Sequence, residues 1–353
     1  MKKTISAAVA LSIFAAPAIA ANLENPLYMP KQGSVYSKTS AGVMYKIADD
    51  SDAHVKKNHD GATEFPIWRV HEELGYGILD NLEAYAKFGY THDGDIDRKG
   101  MHLGRAGLKY RAINTDDGWV WDLYADAQLG GISEMSGSYA ANGFTYDNYS
   151  NGRWGFHVGT QVGKTWSKFS TAAFVEVLRT FGNDNNSIDV SKYSVMGMPM
   201  TQLGFDKEIS VDLKSTTEVN AGLKAFYQLD DRWSFGAGFT FKHHADNGVE
   251  GLASGLGEMP AATAAGLVAM GVIPNAAYAP AVQQQVVDGL MAVVEDMEDG
   301  FDEYILNLTA AYQMTDTMQV AVYGEYTFDD ANTQSQNGTD VKAEMGVRLN
   351  VQF

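Results

Sequence analysis

Three aspartates, Asp93, Asp95 and Asp97, stand at every second residue of the run Asp93-Gly94-Asp95-Ile96-Asp97-Arg98-Lys99-Gly100. Oxygen ligands at that spacing suit calcium, and the run opens like an EF-hand loop. It then departs from one. Arg98 takes the sixth position, where the sharp turn needs glycine, and Gly104 takes the twelfth, where a bidentate glutamate should close the shell. The run therefore reads as a solvated acidic loop, with loosely bound divalent cations as the alternative, and no cofactor is expected. The histidines offer little more. His243 and His244 are adjacent, so in a strand they point to opposite faces. His92 and His102 flank a short loop, and none of the four accompanies a nucleophile motif, so the chain does not read as an enzyme.

A larger set of charges recurs at alternate positions of strand-like segments. Lys38, Lys87, Arg105, Lys109, Arg111, Arg153, Lys214, Lys224, Lys242, Lys342 and Arg348 share one face with Asp122, Asp126, Glu176, Asp212, Glu218, Glu303, Glu325 and Glu344. Such a face supports two kinds of chemistry: charged walls around water select solutes by size and sign, or the charges satisfy one another in a plugged interior. Segment 100–113 is basic and its neighbour 118–131 is acidic, so the two either pair across the ladder or set a transverse field.

The elements that position these charges are legible at the last strand. Val341, Ala343, Met345, Val347, Leu349, Val351 and Phe353 point one way, and Asp340, Lys342, Glu344, Arg348, Asn350 and Gln352 the other. A soluble sheet rarely turns four charges inward, whereas a wall between hydrocarbon and water does so freely. Twelve segments of this period appear: 33–48, 64–78, 81–93, 100–113, 118–131, 151–166, 168–181, 208–228, 232–245, 301–314, 317–329 and 338–353. Their connections alternate between short turns and long loops, with the longest at 131–150, 182–207 and 246–300. The expected fold is all-β: a single antiparallel up-and-down transmembrane barrel of about twelve strands. Trp68, Tyr90, Trp119, Trp154, Trp166, Trp233, Tyr312 and Phe328 fall near strand ends, as interfacial girdles require.

Two segments stand out. In 64–78 the apolar set Trp68, Val70, Leu74, Tyr76, Ile78 puts Glu72 on the lipid face, and a bulge near His71-Glu72-Glu73 or a shifted register would re-aim it. In loop 246–300, Pro280 sits where a helix can begin, and Val282, Val286, Leu290, Val293, Val294 and Met297 follow at helical spacing. Residues 261–270 suit a partner helix. The pair forms either a lid or a hairpin packed on itself above the membrane.

At the other end, Met1-Lys2-Lys3, an apolar run from Ile5 to Ala16 and Ala18-Ile19-Ala20 have the form of a signal peptide over 1–20, cleaved between Ala20 and Ala21. Residues 21–32 are then a periplasmic segment and 33–353 the barrel. Loss of Lys2 and Lys3 takes the formal charge from -18 to -20, and a polyanion is a poor partner for nucleic acid. The chain has no cysteine, its mean hydropathy of -0.22 argues against helical spans, and 36 Gly, 18 Tyr and 16 Phe suit a barrel wall.

With its signal-like start and a final strand ending in Phe353, the chain resembles Gram-negative outer-membrane β-barrel proteins of the porin-like kind over about residues 33–353. The resemblance implies outer-membrane localisation, contact with lipid and lipopolysaccharide, and insertion by the barrel assembly machinery, with Phe353 as the assembly signal. The subfamily and oligomeric state stay open. Loop 131–150 lacks the acidic cluster of the inward third loop of trimeric porins. The fatty-acid transporters have an N-terminal hatch, and residues 21–32 look too short for one. The leading expectation is a passive channel for small hydrophilic solutes or ions. A non-conducting structural or surface-interaction barrel is the alternative, and a hydrophobic-ligand transporter, with Val286, Leu290 and Val293 lining a pocket, is the third.

Overall fold

The computed structural model describes residues 22–47, 66–93, 98–130, 135–136, 138–141, 144–147, 153–182, 186–191, 194–195, 197–245, 249–295, 301–329 and 341–353. The signal-like segment, with Ala20 and Ala21, and the loop residues Asp95 and Asp97 lie outside them, as does the side chain of Asp93.

Twelve antiparallel strands form the wall: β1 (Val35–Ile47), β2 (Ile67–Leu79), β3 (Leu82–Asp93), β4 (Arg98–Asn114), β5 (Trp119–Gln128), β6 (Gly155–Trp166), β7 (Phe169–Thr180), β8 (Thr216–Gln228), β9 (Trp233–His244), β10 (Phe301–Gln313), β11 (Met318–Asp329) and β12 (Val341–Gln352). Each pairs with the next in sequence, and β12 returns to β1 in unbroken register from Tyr36↔Gln352 to Ile47↔Val341. The sheet has closed on itself, which leaves no open edge among these strands. Period two then assigns every side chain to the wall's inside or outside. In β5, Trp119, Trp121 and Leu123 are exposed outside while Val120, Asp122 and Asp126 are buried inside.

Segment 208–228 proves to be two strands. Phe205–Leu213 belongs to a separate outer sheet and β8 begins at Thr216, so Asp212 and Lys214 are not in the barrel wall. The period is the same in both strands, and only the extended break at Lys214-Ser215 divides them. The outer sheet runs Val249–Leu256, Phe205–Leu213, Asn186–Asp189, Phe144–Asp147, Ser138–Ala141, all from the long connections. Helices α1 (Ala261–Ala269) and α2 (Ala279–Glu295) confirm the helical reading of loop 246–300. Neither helix pairs only with the other. Val287 and Leu290 of α2 share a core with Phe205, Ile209 and Val211 of the outer sheet, and Gln283 of α2 donates from Nε2 to the carbonyls of Leu203 (2.7 Å) and Gly257 (3.0 Å). Leu290, with Val286 packed beside it, therefore fills the core of this cap.

The N-terminal stretch is the larger surprise. Asn22 and Asn25 turn it twice through their own side chains, accepting from the amides of Glu24 (3.1 Å) and Leu27 (3.0 Å). The turned stretch lies against inward residues of the wall, with Leu27 packed on Val120 and Ala172. It leaves beside the β2–β3 turn, where Gln32 donates its amide to Asp80 Oδ1 at 2.9 Å, and continues into β1. Short as it is, it occupies the turn end of the lumen.

Candidate functional site in the lumen

Inward aromatic rings are seated by glycines directly across the ladder. Tyr36 faces Gly75, Tyr124 faces Gly159, Phe174 faces Gly222 and Tyr323 faces Gly346. In each pair a Cβ on the glycine would come within 2.7 Å of the ring's atoms, so the glycine provides the space in which the ring lies against the wall. In the three tyrosine pairs the ring's hydroxyl is then delivered to a carboxylate.

Four groups of polar contacts result. Around β1–β4, Glu73 accepts from Tyr36 Oη at 2.8 Å and meets Lys38 and Lys87, each at 3.3 Å. The Tyr36 hydroxyl also bonds Glu83, which pairs with Lys109 at 3.0 Å. Across β3–β7, Asp126 accepts from Tyr85 Oη at 2.7 Å and contacts His157 Nδ1 at 2.7 Å. His157 Nε2 is 3.4 Å from Glu176, which takes the Tyr124 hydroxyl at 2.7 Å. Near β12, Glu344 holds Arg69 at 3.1 Å and accepts from Tyr323 Oη at 2.9 Å. Towards the long-loop end, Lys242 lies 3.6 Å from Glu303 and 3.9 Å from Glu218, and His244 bridges the same two carboxylates at 3.1 and 3.5 Å.

The basic β4 and acidic β5 pair across their ladder only in part. Arg111 grips both oxygens of the fully buried Asp122, at 2.8 and 3.1 Å, whereas Arg105 stays 4.0 Å from Asp126 and Lys109 turns to Glu83 on β3. The same wall holds the N-terminal stretch: Lys109 Nζ donates to the Tyr28 carbonyl (2.9 Å), Arg111 Nη2 to that of Leu27 (2.7 Å) and Gln161 Nε2 to that of Pro26 (3.0 Å). Glu24 reaches Arg348 at 2.8 Å.

Of the residues singled out in the sequence, Lys87, Arg105, Lys109, Arg111, Asp122, Asp126, Glu176, Glu218, Lys242, Glu303, Glu325, Glu344 and Arg348 all sit at inward positions of the wall. Lys224 joins them, its ammonium 4.4 Å from the Phe174 ring centroid. Lys342 holds an inward register position in β12, with its side chain outside the described residues. Arg153 is buried just before β6 and donates to the carbonyls of Phe181, at 2.9 Å, and Lys214, so it braces strand ends. Lys214 itself is in the connection preceding β8. Reading for charge missed Arg69, Glu73 and Glu83. The signal was present in β2, where Arg69, His71, Glu73, Gly75 and Gly77 alternate with the exposed Trp68, Val70, Leu74 and Tyr76.

No family model matches the chain, and no curated protein matches its sequence. Its fold does have solved counterparts. An outer-membrane channel from Pseudomonas putida F1 superposes with a TM-score of 0.52 at 10% identity, covering 92% of this chain and 97% of that one. The likeness is one of fold: a closed antiparallel barrel, the architecture of that outer-membrane channel. Looser likenesses are the transport unit of the autotransporter AIDA-I from Escherichia coli, with a TM-score of 0.45, 10% identity and coverage of 94% and 95%, and a monoaromatic hydrocarbon channel, with a TM-score of 0.43, 8% identity and coverage of 92% and 90%.

The exterior is apolar, as a membrane-spanning barrel requires: Leu223, Leu308, Val322, Met345 and Val347 are exposed where lipid would cover them. At the turn end Lys164 lies 4.9 Å from the Trp119 ring centroid and 5.9 Å from that of Trp166, with Asp117 at 3.4 Å. Rings with a polar or cationic edge belong at the headgroup level. One outward position breaks the pattern. The β1–β2 register is continuous from Val35↔Tyr76 to Met44↔Ile67, with no bulge at His71-Glu72-Glu73, so Glu72 remains on the lipid face. There it accepts from Ser37 (2.6 Å) and Thr39 (2.5 Å), both outward residues of β1.

Proposed function

We propose that this barrel is an outer-membrane channel for small hydrophilic solutes or ions, with the charged inner wall as its filter. The supporting observation is that cations and carboxylates of β1–β12 share the inner face, where charge is favourable only if water reaches it or partners meet it. Several keep an open side: the Lys87 side chain is 41% exposed inside the wall. Solutes would pass between such groups and the N-terminal stretch, which narrows the turn end. A non-conducting barrel is the second reading, favoured by the same stretch, because Lys109, Arg111 and Gln161 all donate to its backbone. In either reading lipid and lipopolysaccharide surround the wall, the barrel assembly machinery inserts the chain through its last strand, and acidic loops are left to attract divalent cations loosely.

Single-channel recording in planar bilayers separates the two. Stepwise conductance from the intact mature chain is expected, larger when residues 22–30 are deleted and little altered when residues 255–298 are deleted. Silence from the intact chain with conductance after deletion of 22–30 would identify a plugged barrel. Silence from all three would overturn the channel reading.

A further inference from the structure

We propose that Arg348 and Asn350 of β12 form a binding site for small carboxylates, and that Glu24 occupies it as the chain's own tethered ligand. The inference deepens the channel reading by naming a solute class, and it rests on that reading for passage but not for binding.

The Glu24 side chain is only 7% exposed, and both its oxygens are engaged. Arg348 Nη1 donates to Oε1 at 3.1 Å and Oε2 at 2.8 Å, and Asn350 Nδ2 donates to Oε1 at 2.7 Å. The receptor side is built independently of Glu24. Asn350 is fully buried and also donates to Gln319 Oε1 at 2.9 Å, while the Arg348 guanidinium rests 5.1 Å from the Tyr323 ring centroid. A planar guanidinium held on a ring beside a fixed amide donor is the arrangement that recognises a carboxylate.

What separates this contact from the other ion pairs is where its acid comes from. Among the described residues, Lys38, Lys87, Lys109, Arg111, Arg69 and Lys242 each meet a carboxylate of the wall. Arg348 instead pairs with Glu24, on a stretch whose other hydrogen bonds to the wall use backbone carbonyls and the neutral side chains of Asn22 and Asn25. If the stretch departs, the wall's own pairs persist, Arg348 loses its carboxylate, and Asn350 keeps Gln319 while losing Glu24. Arg348 is only partly exposed, at 28%, and its guanidinium is left beside a fixed amide donor, so the vacated site favours a carboxylate that fits. The tether keeps Glu24 at a high effective concentration, so a free carboxylate competes poorly with the intact chain and well once Glu24 is removed.

The test is chemical rescue. The mature chain, Glu24→Ala, Glu24→Gln and each Glu24 variant combined with Arg348→Gln are refolded in detergent. Their heat-induced unfolding midpoints are compared in sodium acetate and sodium chloride at equal ionic strength and neutral pH. Both Glu24 variants should lose stability and recover a large part of it in acetate but not in chloride. The intact chain should respond little, and the combined variants should not respond to acetate at all. Equal effects of acetate and chloride on both Glu24 variants would overturn the site, as would an acetate response that survives Arg348→Gln. In bilayers, the acetate-to-chloride permeability ratio should rise in Glu24→Ala. Electrical silence together with acetate-specific stabilisation would discard the channel reading and leave the site standing.

Discussion

Tyr36 fills the space that a side chain on Gly75 would need: a Cβ there would stand 2.1 Å from Tyr36 Cε1, and the two residues are direct partners across β1 and β2. The ring is almost fully buried, and its hydroxyl joins Glu73 to Glu83. Gly75→Ala should therefore displace the ring and strand both carboxylates, costing about 1–3 kcal/mol as an overpacking change. Gly251, in the outer sheet, has nothing within 4 Å of its would-be Cβ. Gly251→Ala is the control, expected to fall within about 0.5 kcal/mol of the parent. Urea unfolding in detergent micelles, followed by tryptophan fluorescence, measures both.

Arg111 and Asp122 should show strong coupling. Asp122 is fully buried, held twice by Arg111 and once by Gln161 at 2.8 Å. Asp122→Ala leaves a largely buried guanidinium uncompensated and should cost about 3–5 kcal/mol. Arg111→Ala should also be costly, because it removes the donor to the Leu27 carbonyl. The double variant should be more stable than the sum of the two predicts, by about 1–3 kcal/mol for groups in direct contact. Additive losses in a double-mutant cycle would mean that the two side chains contribute independently.

How much of this lumen the sequence discloses depends on the range of the interaction. Alternation in β5 and β12 is local, and it puts Asp122, Asp126, Glu344 and Arg348 on one face, which the fold turns inward. The same local pattern misled at Phe205–Leu213, because a strand under helix α2 and a strand facing lipid both repeat every two residues. Period gives a face and does not say what covers it. Residues 22–30 carry no period at all. Their place is set by partners such as Arg348, 324 positions away from Glu24, and no spacing rule reaches that far. Glu73 is hard to place from the sequence because its neighbour Glu72 carries the same charge on the opposite face, so the pair has no polar alternation to read.

The β8–β9 turn carries a pH signature outside the membrane. Asp230 Oδ1 accepts from the amides of Trp233 at 2.7 Å and Arg232 at 2.8 Å, and these bonds, Trp233 foremost, hold its carboxyl below the ordinary range. A lowered value in the folded state means that the stabilisation is present above the carboxyl's ordinary range and is lost as pH falls through the lowered value. Asp230→Ala should therefore be less stable than the parent at neutral pH. The gap should close in acid. A gap between the two unfolding curves that is constant from neutral to acid pH would refute the assignment.

Glu72 offers the opposite kind of test, in which removing polar contacts should stabilise. It lies near the middle of β2 on the face that also carries Val70 and Leu74, which a membrane would surround with hydrocarbon, and among the described residues only Ser37 and Thr39 bond its carboxyl. The hydroxyls reduce the cost of placing an acid there but cannot cancel it, since the same three positions filled by apolar groups need no partner. Glu72→Leu alone should gain little, because it leaves two hydroxyls in lipid without an acceptor. Ser37→Val, Thr39→Val and Glu72→Leu together should raise stability by about 1–4 kcal/mol in lipid vesicles. The increase should be smaller in detergent, where water reaches the wall more readily. A loss of stability from the triple change in vesicles would show that Glu72 meets a polar partner in the membrane plane instead of lipid chains.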